Sequence, residues 1–545
     1  RGLGDVYKRQ HINANTNLLL GFLVNELSIG EYDCLISDLI DDTDSAISFC
    51  KENPLLFNME YIYEADEDVL GLIYISCKNI GNRKATGSYY TSTKVVKNLI
   101  SRLSFQEPVK VLDPCCGTGN FLLQLPDVLP FDSIYGNDID AASVKITRLN
   151  MALKYNVPVA AIYEHITGQD YLTDYAEKDF QYIIGNPPWG YDFSEEEKSH
   201  LRTIYKSATG KNIESYDVFI EQALNHLTDN GHLAYVLPEA ILNVKAHTNI
   251  RKTILENCSI KNLVFLGNAF DGVQCPCIIL DLQCTRSPLS TVGMNVNTGT
   301  ASFTINIERT VSDEYFSFTT SDAEYNVLCK IRSMPNSAYL LDNADFALGI
   351  VTGNNKEYIS DIKNENNEMI LKGADICKYH ITRTNNYIVF KPENFQQAAP
   401  TEMYRSPEKL LYRFISSQLV FAYDDKQTLS LNSCNIVIPR LPGIKIKYVL
   451  AILNSRIAQF IYKKEFNSVK VLRSHIENIP IPTADASTQA EIIALTDKLI
   501  SGLQSAEAEK VYDELDLLVS KAFNLDSNEI EIINKAVEGD NKFLA

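Results

Sequence analysis

The chain has 545 residues, 45% hydrophobic and 22% charged, with a net charge of −19. This composition is ordinary for a globular protein of about three or four domains. It excludes a membrane-spanning protein, which needs an apolar run of about 18 residues; the longest early run, Leu18 to Val24, stops at Asn25 and Glu26.

Residues 1–10 begin with Arg rather than Met and are left out of the fold reading. No basic stretch followed by an apolar one marks an export signal. The twelve cysteines lack paired CxxC spacing; only Cys115-Cys116 and Cys275-x-Cys277 are close. Free thiols in a reducing compartment are expected, with no disulfide framework and no metal.

Residues 1–80 predict a mostly helical segment. Residues 81–290 read as the next domain, in which 109–285 alternate strand and helix. The strands fall at Val109–Leu112, Ser133–Gly136, Tyr182–Gly185, Gly231–Leu237, Lys261–Leu266 and Cys277–Leu282. The helices fall at Ala141–Tyr155, Tyr216–Leu227 and Thr248–Glu256. That alternation means an α/β domain with a mixed, mostly parallel sheet, whose ligand belongs beyond the carboxyl ends of the strands. Residues 291–340 read as a connecting region. Residues 341–485 carry short β-like runs such as Tyr387–Phe390 and Leu429–Ile438. Residues 486–545 return to helix, chiefly over 488–523, expected to pack on the preceding domain.

The charge is unevenly spread. Residues 1–80 hold 5 basic and 14 acidic side chains, residues 481–545 hold 5 and 13, but residues 351–480 hold 18 and 12. Net charge alone argues against nucleic acid; a basic segment between acidic ends instead suits contact with phosphates. The bland alternative is chance variation in a solvated surface.

Two constellations carry chemistry. In VLDPCCGTGNFLLQL a strand ends in Asp113, and Gly117 and Gly119 turn the chain into a helix. This is neither a dinucleotide fingerprint, for want of the third glycine, nor a phosphate loop, for want of Lys-Ser/Thr. An acidic group beside a glycine turn suits a ligand with a positive end, such as S-adenosylmethionine. Asp138 in GNDID lies where an acid can bond ribose hydroxyls, and Asp170 in GQDY is a third acid. The second constellation is Asn186-Pro187-Pro188-Trp189, just after a strand. Two prolines stiffen the turn and remove two donors. The Asn186 side-chain oxygen and the Pro187 carbonyl remain as acceptors, beside a flat tryptophan. Such a site recognises a planar group bearing NH₂. Accepting both amine hydrogens localises a lone pair that is otherwise delocalised into the ring.

These segments resemble the N6-adenine DNA methyltransferases of restriction–modification systems, over roughly residues 66–545. DPCCGTGNFL, with Cys115 in its turn, is similar to the family's cofactor motif, GNDID to its ribose motif and GQDYL to the segment contacting the cofactor adenine. GNPPW resembles the catalytic motif. GSYYTSTKVV resembles the motif packing on the methionine part, so the resemblance gives Tyr90 and Thr91 a cofactor role; Ser92 stands where the family has Pro. AFDGVQCP resembles the motif supplying a second aromatic to a flipped base, here Phe270 beside Trp189. FALGIVTGNNKEYI, ILKGADICKY, YVLAILNSRIAQFIY and IENIPIP resemble a Taq-type specificity domain.

The resemblance implies a Rossmann-like methyltransferase domain, a C-terminal α+β target-recognition domain and a small helical N-terminal segment. It implies S-adenosylmethionine as cofactor, double-stranded DNA as partner, a restriction endonuclease encoded nearby, and a prokaryotic cytoplasmic location. Arg405, Lys409, Arg413, Arg440, Lys445 and Lys447 are the candidate DNA contacts.

Several rival readings remain. One is a glutamine or RNA amino-methyltransferase using the same Asn-Pro-Pro site. Another is cytosine C5 methylation through Cys115 or Cys277, each preceded by proline. A third is a non-catalytic specificity subunit, and a fourth a bifunctional enzyme that also cuts. The stretch before Gly87 is short for a nuclease, so methylation without cleavage is expected.

Overall fold

The structure, a computed structural model, describes residues 35, 66–77, 90–105, 109–270, 275–382, 384–466 and 468–539. Most of the expected N-terminal helical segment lies outside these residues; within it the helix α1 (Val69–Cys77) is described. Among the described residues no helix is long and apolar enough to cross a membrane. The chain divides into two compact units, 1–318 and 319–545.

The first unit is built on one sheet. Its strands are β1 (Val111–Asp113), β2 (Ile134–Asn137), β3 (Ile166–Thr167), β4 (Phe180–Gly185), β5 (Leu227–Pro238), β6 (Cys258–Gly267), β7 (Cys277–Cys284), β8 (Met294–Asn297) and β9 (Ser302–Ile305). They lie in the order β3-β2-β1-β4-β5-β7-β6-β8-β9. Strands β1 to β5 pair in parallel, and β7 runs antiparallel between β5 and β6. The order steps outward from β1 to β3, then returns to the other side of β1 at β4. Such a reversal opens a crevice at the strands' carboxyl ends. Strand β1 is buried at every position, and β7 at all but one. Strands covered on both faces are apolar throughout rather than alternating.

Helices α2 (Thr93–Ile100), α3 (Asn120–Leu123), α4 (Ala141–Tyr155), α5 (Val159–His165), α6 (Glu195–Ile204), α7 (Ser215–His226) and α8 (Thr248–Asn257) complete this unit's main elements. Helix α4 has the expected bounds; it stops where Asn156 turns left-handed at φ +47°, a conformation asparagine tolerates. Helix α6 opens on a reciprocal cap between Ser194 and Glu197, which satisfies two otherwise orphaned donors. The six expected strands are present with shifted ends, and β3, β8 and β9 are additional. The stretch read as a connector, 291–340, supplies β8 and β9 to the first unit and the helix Asp322–Arg332 to the second.

Among its described residues the second unit contains a two-stranded pair, Ser337–Ala338 with Ile481–Pro482, and two four-stranded sheets. One orders Ala344–Ala347, Cys434–Pro439, Lys409–Arg413 and Phe421–Asp424, all antiparallel. The other orders Ile359–Ser360, Tyr387–Ile388, Glu368–Leu371 and Leu429–Ser430. The apolar helix Ile446–Asn454 packs with Ala486–Ile500 and Ser505–Ala522 in a shared core. The C-terminal helices thus form a hairpin that also closes on the preceding domain.

Candidate active site

The strand ends of the first unit gather the predicted residues. Asp113 ends β1 fully buried. Its Oδ1 accepts the Cys115 N–H at 3.2 Å, while its Oδ2 has no partner. Burial pushes its carboxyl well above the usual range; the Cys115 N–H opposes this and nearby Asp138 adds to it. Gly117 (φ +55°) and Gly119 (φ +95°) make the turn. A side chain at Gly117 would meet nothing within 4 Å, so the backbone faces open space there.

Asp138 fastens this turn. Its Oδ2 accepts the Gly117 N–H at 2.8 Å and its Oδ1 the Asp140 N–H at 2.8 Å. Asn137, read only as part of the ribose motif, joins three strand ends. Its amide donates to the carbonyls of Gln169 (2.9 Å) and Pro114 (3.4 Å), and its oxygen accepts from Gln169 N and Thr167 Oγ1. Asp170 accepts the Leu172 N–H at 2.9 Å, an Asx turn at the β3 exit.

The N-terminal piece also reaches this site. Buried Asp68 accepts from Gly71 N (2.9 Å), Asn150 Nδ2 (2.8 Å) and the Thr118 hydroxyl of the glycine turn. Burial pushes its carboxyl up to about 6, against those three bonds. Tyr74 donates to Asp140 Oδ2 at 3.0 Å. Sequence reading overlooks the contacts to Thr118, Asn150 and Asp140 because they span 50, 82 and 66 positions of chain.

Asn186 follows β4. Its Nδ2 donates to Thr91 Oγ1 at 3.0 Å, and its Oδ1 is buried without a partner. Gly185 makes this placement possible. A Cβ there would lie 2.5 Å from Asp113 Oδ1, at a backbone φ of +144°, so any other residue would be strained and would displace the Asp113 carboxyl. Ser215, at the start of α7, donates to the Pro188 carbonyl and fixes the proline turn. Trp189 and Phe270 are 7% and 8% exposed and meet edge to face, with centroids 4.8 Å apart at 82°. Three buried hydroxyls, on Tyr90, which the resemblance names, and on Tyr171 and Tyr235, which sequence reading does not assign, also lack partners; Tyr235 sits opposite Gly185 in the β4–β5 register. Thr91, expected on the cofactor, has its hydroxyl bonded to the Asn186 amide.

The cysteine rival finds no support in the electrostatics. Burial, then the charges of Asp113 and Asp138, hold the Cys115 thiol well above its usual range. Burial pushes Cys277 up to about 12. A nucleophilic cysteine needs the opposite shift.

In the second unit the six basic candidates are mostly engaged. Lys409 requires correction: its side chain is 0% exposed and its ammonium is bonded to Asp424 (2.5 Å) and the Tyr404 carbonyl (2.8 Å), out of reach of a phosphate. Arg405 forks onto Glu368 at 2.6 and 2.8 Å, Arg413 donates to the Ile376 carbonyl, and Lys447 pairs with Asp497 at 2.6 Å. Arg440 pairs with Asp345 while its side chain stays 65% exposed. Lys445 is exposed.

Several known proteins are similar to this chain. A Type II methyltransferase, M.VspI of Vibrio sp. (strain 343), is 28% identical over 59% of this chain and 79% of its own. M.CvrRI of Paramecium bursaria Chlorella virus XZ-6E is 31% identical over 30% of this chain and 40% of its own. M.HincII of Haemophilus influenzae is 23% identical over 35% and 36%. The fold resembles that of the Type IIL restriction-modification enzyme MmeI solved in complex with DNA, with a TM-score of 0.58 and 12% identity over 91% of this chain and 84% of that one. Residues 65–311 match the N-6 DNA methylase family and residues 368–481 the TaqI-like C-terminal specificity domain. By these two matches the chain carries an N-6 DNA methylase domain followed by a TaqI-like C-terminal specificity domain, and it is similar to the Type II methyltransferases of restriction–modification systems.

Proposed function

We propose that the chain methylates the N6 amine of an adenine turned out of duplex DNA, taking the methyl group from S-adenosylmethionine. The observation that carries this is Asn186. Its amide is anchored by the NH₂ end, and its oxygen is buried with no partner. A buried acceptor left unmet costs about 1–3 kcal/mol, so its retention marks the place of a donor. An exocyclic amine is such a donor. Asn186 Oδ1 and the Pro187 carbonyl would hold its two hydrogens, drawing the nitrogen lone pair out of conjugation. One hydrogen leaves as a proton when the new N–methyl bond forms.

The strand-end loops fit the cofactor. Asp113 Oδ2 is an orphaned buried carboxylate oxygen, and the Gly117 backbone borders open space. Asp113, Cys115, Gly117 and Gly119 would hold the methionine end, with Tyr90 beside it. Asp138 would hold the ribose and Asp170 the adenine end. Bound there, the cofactor supplies a methyl group on a positively charged sulfur. Reaching a paired base requires flipping it out, at a few kcal/mol, and Trp189 offers the stacking surface, with Phe270 beside it. Residues 341–485 would read the target sequence through base edges. The same proposal puts the reaction on DNA in a prokaryotic cytoplasm, with a cognate endonuclease encoded nearby; similarity to Type II methyltransferases supports it.

The test uses unmethylated genomic DNA and S-adenosylmethionine, digestion to nucleosides, and mass spectrometry for N6-methyladenine. Wild-type protein should yield it. A folded protein that leaves the DNA unmodified overturns the reading. Trp189 is the only tryptophan, so quenching of its emission by target duplex reports stacking directly.

A further inference from the structure

Thr91 lies 95 positions before Asn186 and makes two bonds. Its Oγ1 accepts the Asn186 amide N–H at 3.0 Å, and its backbone carbonyl accepts from Asn120 Nδ2 at 2.7 Å. Asn120 is the first residue of α3, directly after Gly119 of the glycine turn. Thr91 is itself buried. It therefore joins the glycine turn on one side to the asparagine amide on the other.

An asparagine amide is pseudo-symmetric in shape but not in chemistry: one end accepts two hydrogen bonds, the other donates two. Only the oxygen can hold an amine hydrogen. Turned by half a rotation, the amide would present donors to a donor. The flipped form would also bury both of its N–H bonds where the structure now shows an unpartnered oxygen, leaving them without acceptors. Unmet buried donors are costly. The Thr91 hydroxyl accepts one N–H in the productive form; it could donate to the oxygen of a flipped amide, but that form would still strand both N–H bonds, so hydroxyl and pocket select the productive end together.

We propose that Thr91 is a positioning residue for methyl transfer: it fixes which end of the Asn186 amide faces the target amine, from a backbone tied to the glycine turn. This rests on the reading of Asn186 as the amine's acceptor, and departs from the cofactor contact that the sequence resemblance implies. The role needs an acceptor oxygen at position 91, which serine supplies and valine of nearly the same shape does not.

The experiment measures single-turnover methylation at saturating cofactor and DNA, together with the Kd of each, for wild type, Thr91→Val, Thr91→Ser, Asn186→Asp and the pair Thr91→Val/Asn186→Asp. Thr91→Val should lower the rate about 10- to 100-fold, somewhat less than loss of a direct transition-state donor, with both Kd values within about threefold. Thr91→Ser should restore most of it. Aspartate presents two equivalent acceptors and has no wrong end, so Thr91→Val should cost much less in the Asn186→Asp background. An equal loss in both backgrounds would mean a merely structural residue and overturn the proposal. A weakened cofactor Kd with an unchanged saturated rate would make Thr91 a cofactor contact and overturn it too. Should Thr91→Val not fold, Thr91→Ala gives the same split; should Asn186→Asp be inactive, the rate-against-Kd split decides alone. Asn186→Ala separates the two levels: if it keeps the wild-type rate, the reading of Asn186 fails rather than that of Thr91.

Discussion

The strand ends of the first unit and the basic stretch of the second treat polar side chains in opposite ways. At β1 and β4, Asp113 Oδ2 and Asn186 Oδ1 are buried and left without partners. In the second unit, Lys409, Arg405, Arg440 and Lys447 are already held by Asp424, Glu368, Asp345 and Asp497. A buried group without a partner is a cost that folding alone does not justify. A paired cation gains little by exchanging one anion for another. Unmet hydrogen-bonding demand therefore locates chemistry to the atom, whereas local charge excess locates only a region.

The largest expected effect sharpens the first half of that contrast. Asn186→Ala should lower methyl transfer to DNA by about 10³-fold or more, beyond the loss of a single oxyanion donor, with unchanged melting temperature. Mass spectrometry of digested DNA measures it, and a mutant within tenfold of wild type would break the contrast.

The next effect concerns the buried pair. Lys409→Met strands the Asp424 carboxylate and should destabilise the second unit by about 3–5 kcal/mol, while the salt dependence of DNA binding in the surviving folded fraction stays the same. Denaturant melts and salt titrations read the two quantities separately. A shallower salt slope with intact stability would make Lys409 a phosphate contact after all.

Asp68 gives a smaller, pH-dependent effect. Its proton is held more tightly in the folded protein than in the unfolded chain, where an aspartate titrates near 3.9. The stability linked to it is complete below about pH 4 and is lost as pH rises through about 6, by on the order of 3 kcal/mol. Asp68→Asn should flatten that fall in thermal melts between pH 4 and 7; an unchanged slope would show that another group titrates there.

The smallest effects belong to exposed cations. Arg440→Ala or Lys445→Ala should weaken DNA binding a few-fold and lower the logarithmic salt slope by about one. No change in slope for either would remove both from the interface.

Much of the first unit is legible because glycine and proline punctuate it. The turn at Gly117 and Gly119, the stop at Asn186-Pro187-Pro188 and the apolar runs of β4 and β7 each carry a local cause. β3 is two residues long and offers no periodicity to read. Ser194 and Glu197 spell a capping box that the charged run around them obscures. The partners that matter most are remote: Thr91 meets Asn186, Asp68 meets Asn150, and Asp345 meets Arg440. Spacing along a chain carries no trace of such pairs. Charge counting therefore singles out 351–480 yet includes Lys409, whose neutralising Asp424 comes from the neighbouring strand of its sheet.

Trp189 and Phe270 close on each other edge to face. A planar guest that takes the place of Phe270 against that tryptophan would turn one ring first, giving up a contact of about 0.5–1.5 kcal/mol. Admission is then an event with a barrier of its own, separate from bond making. An enzyme paced by that turn would show steady-state kinetics indifferent to isotopes in the transferred methyl, while its first turnover from a preloaded complex would still feel them.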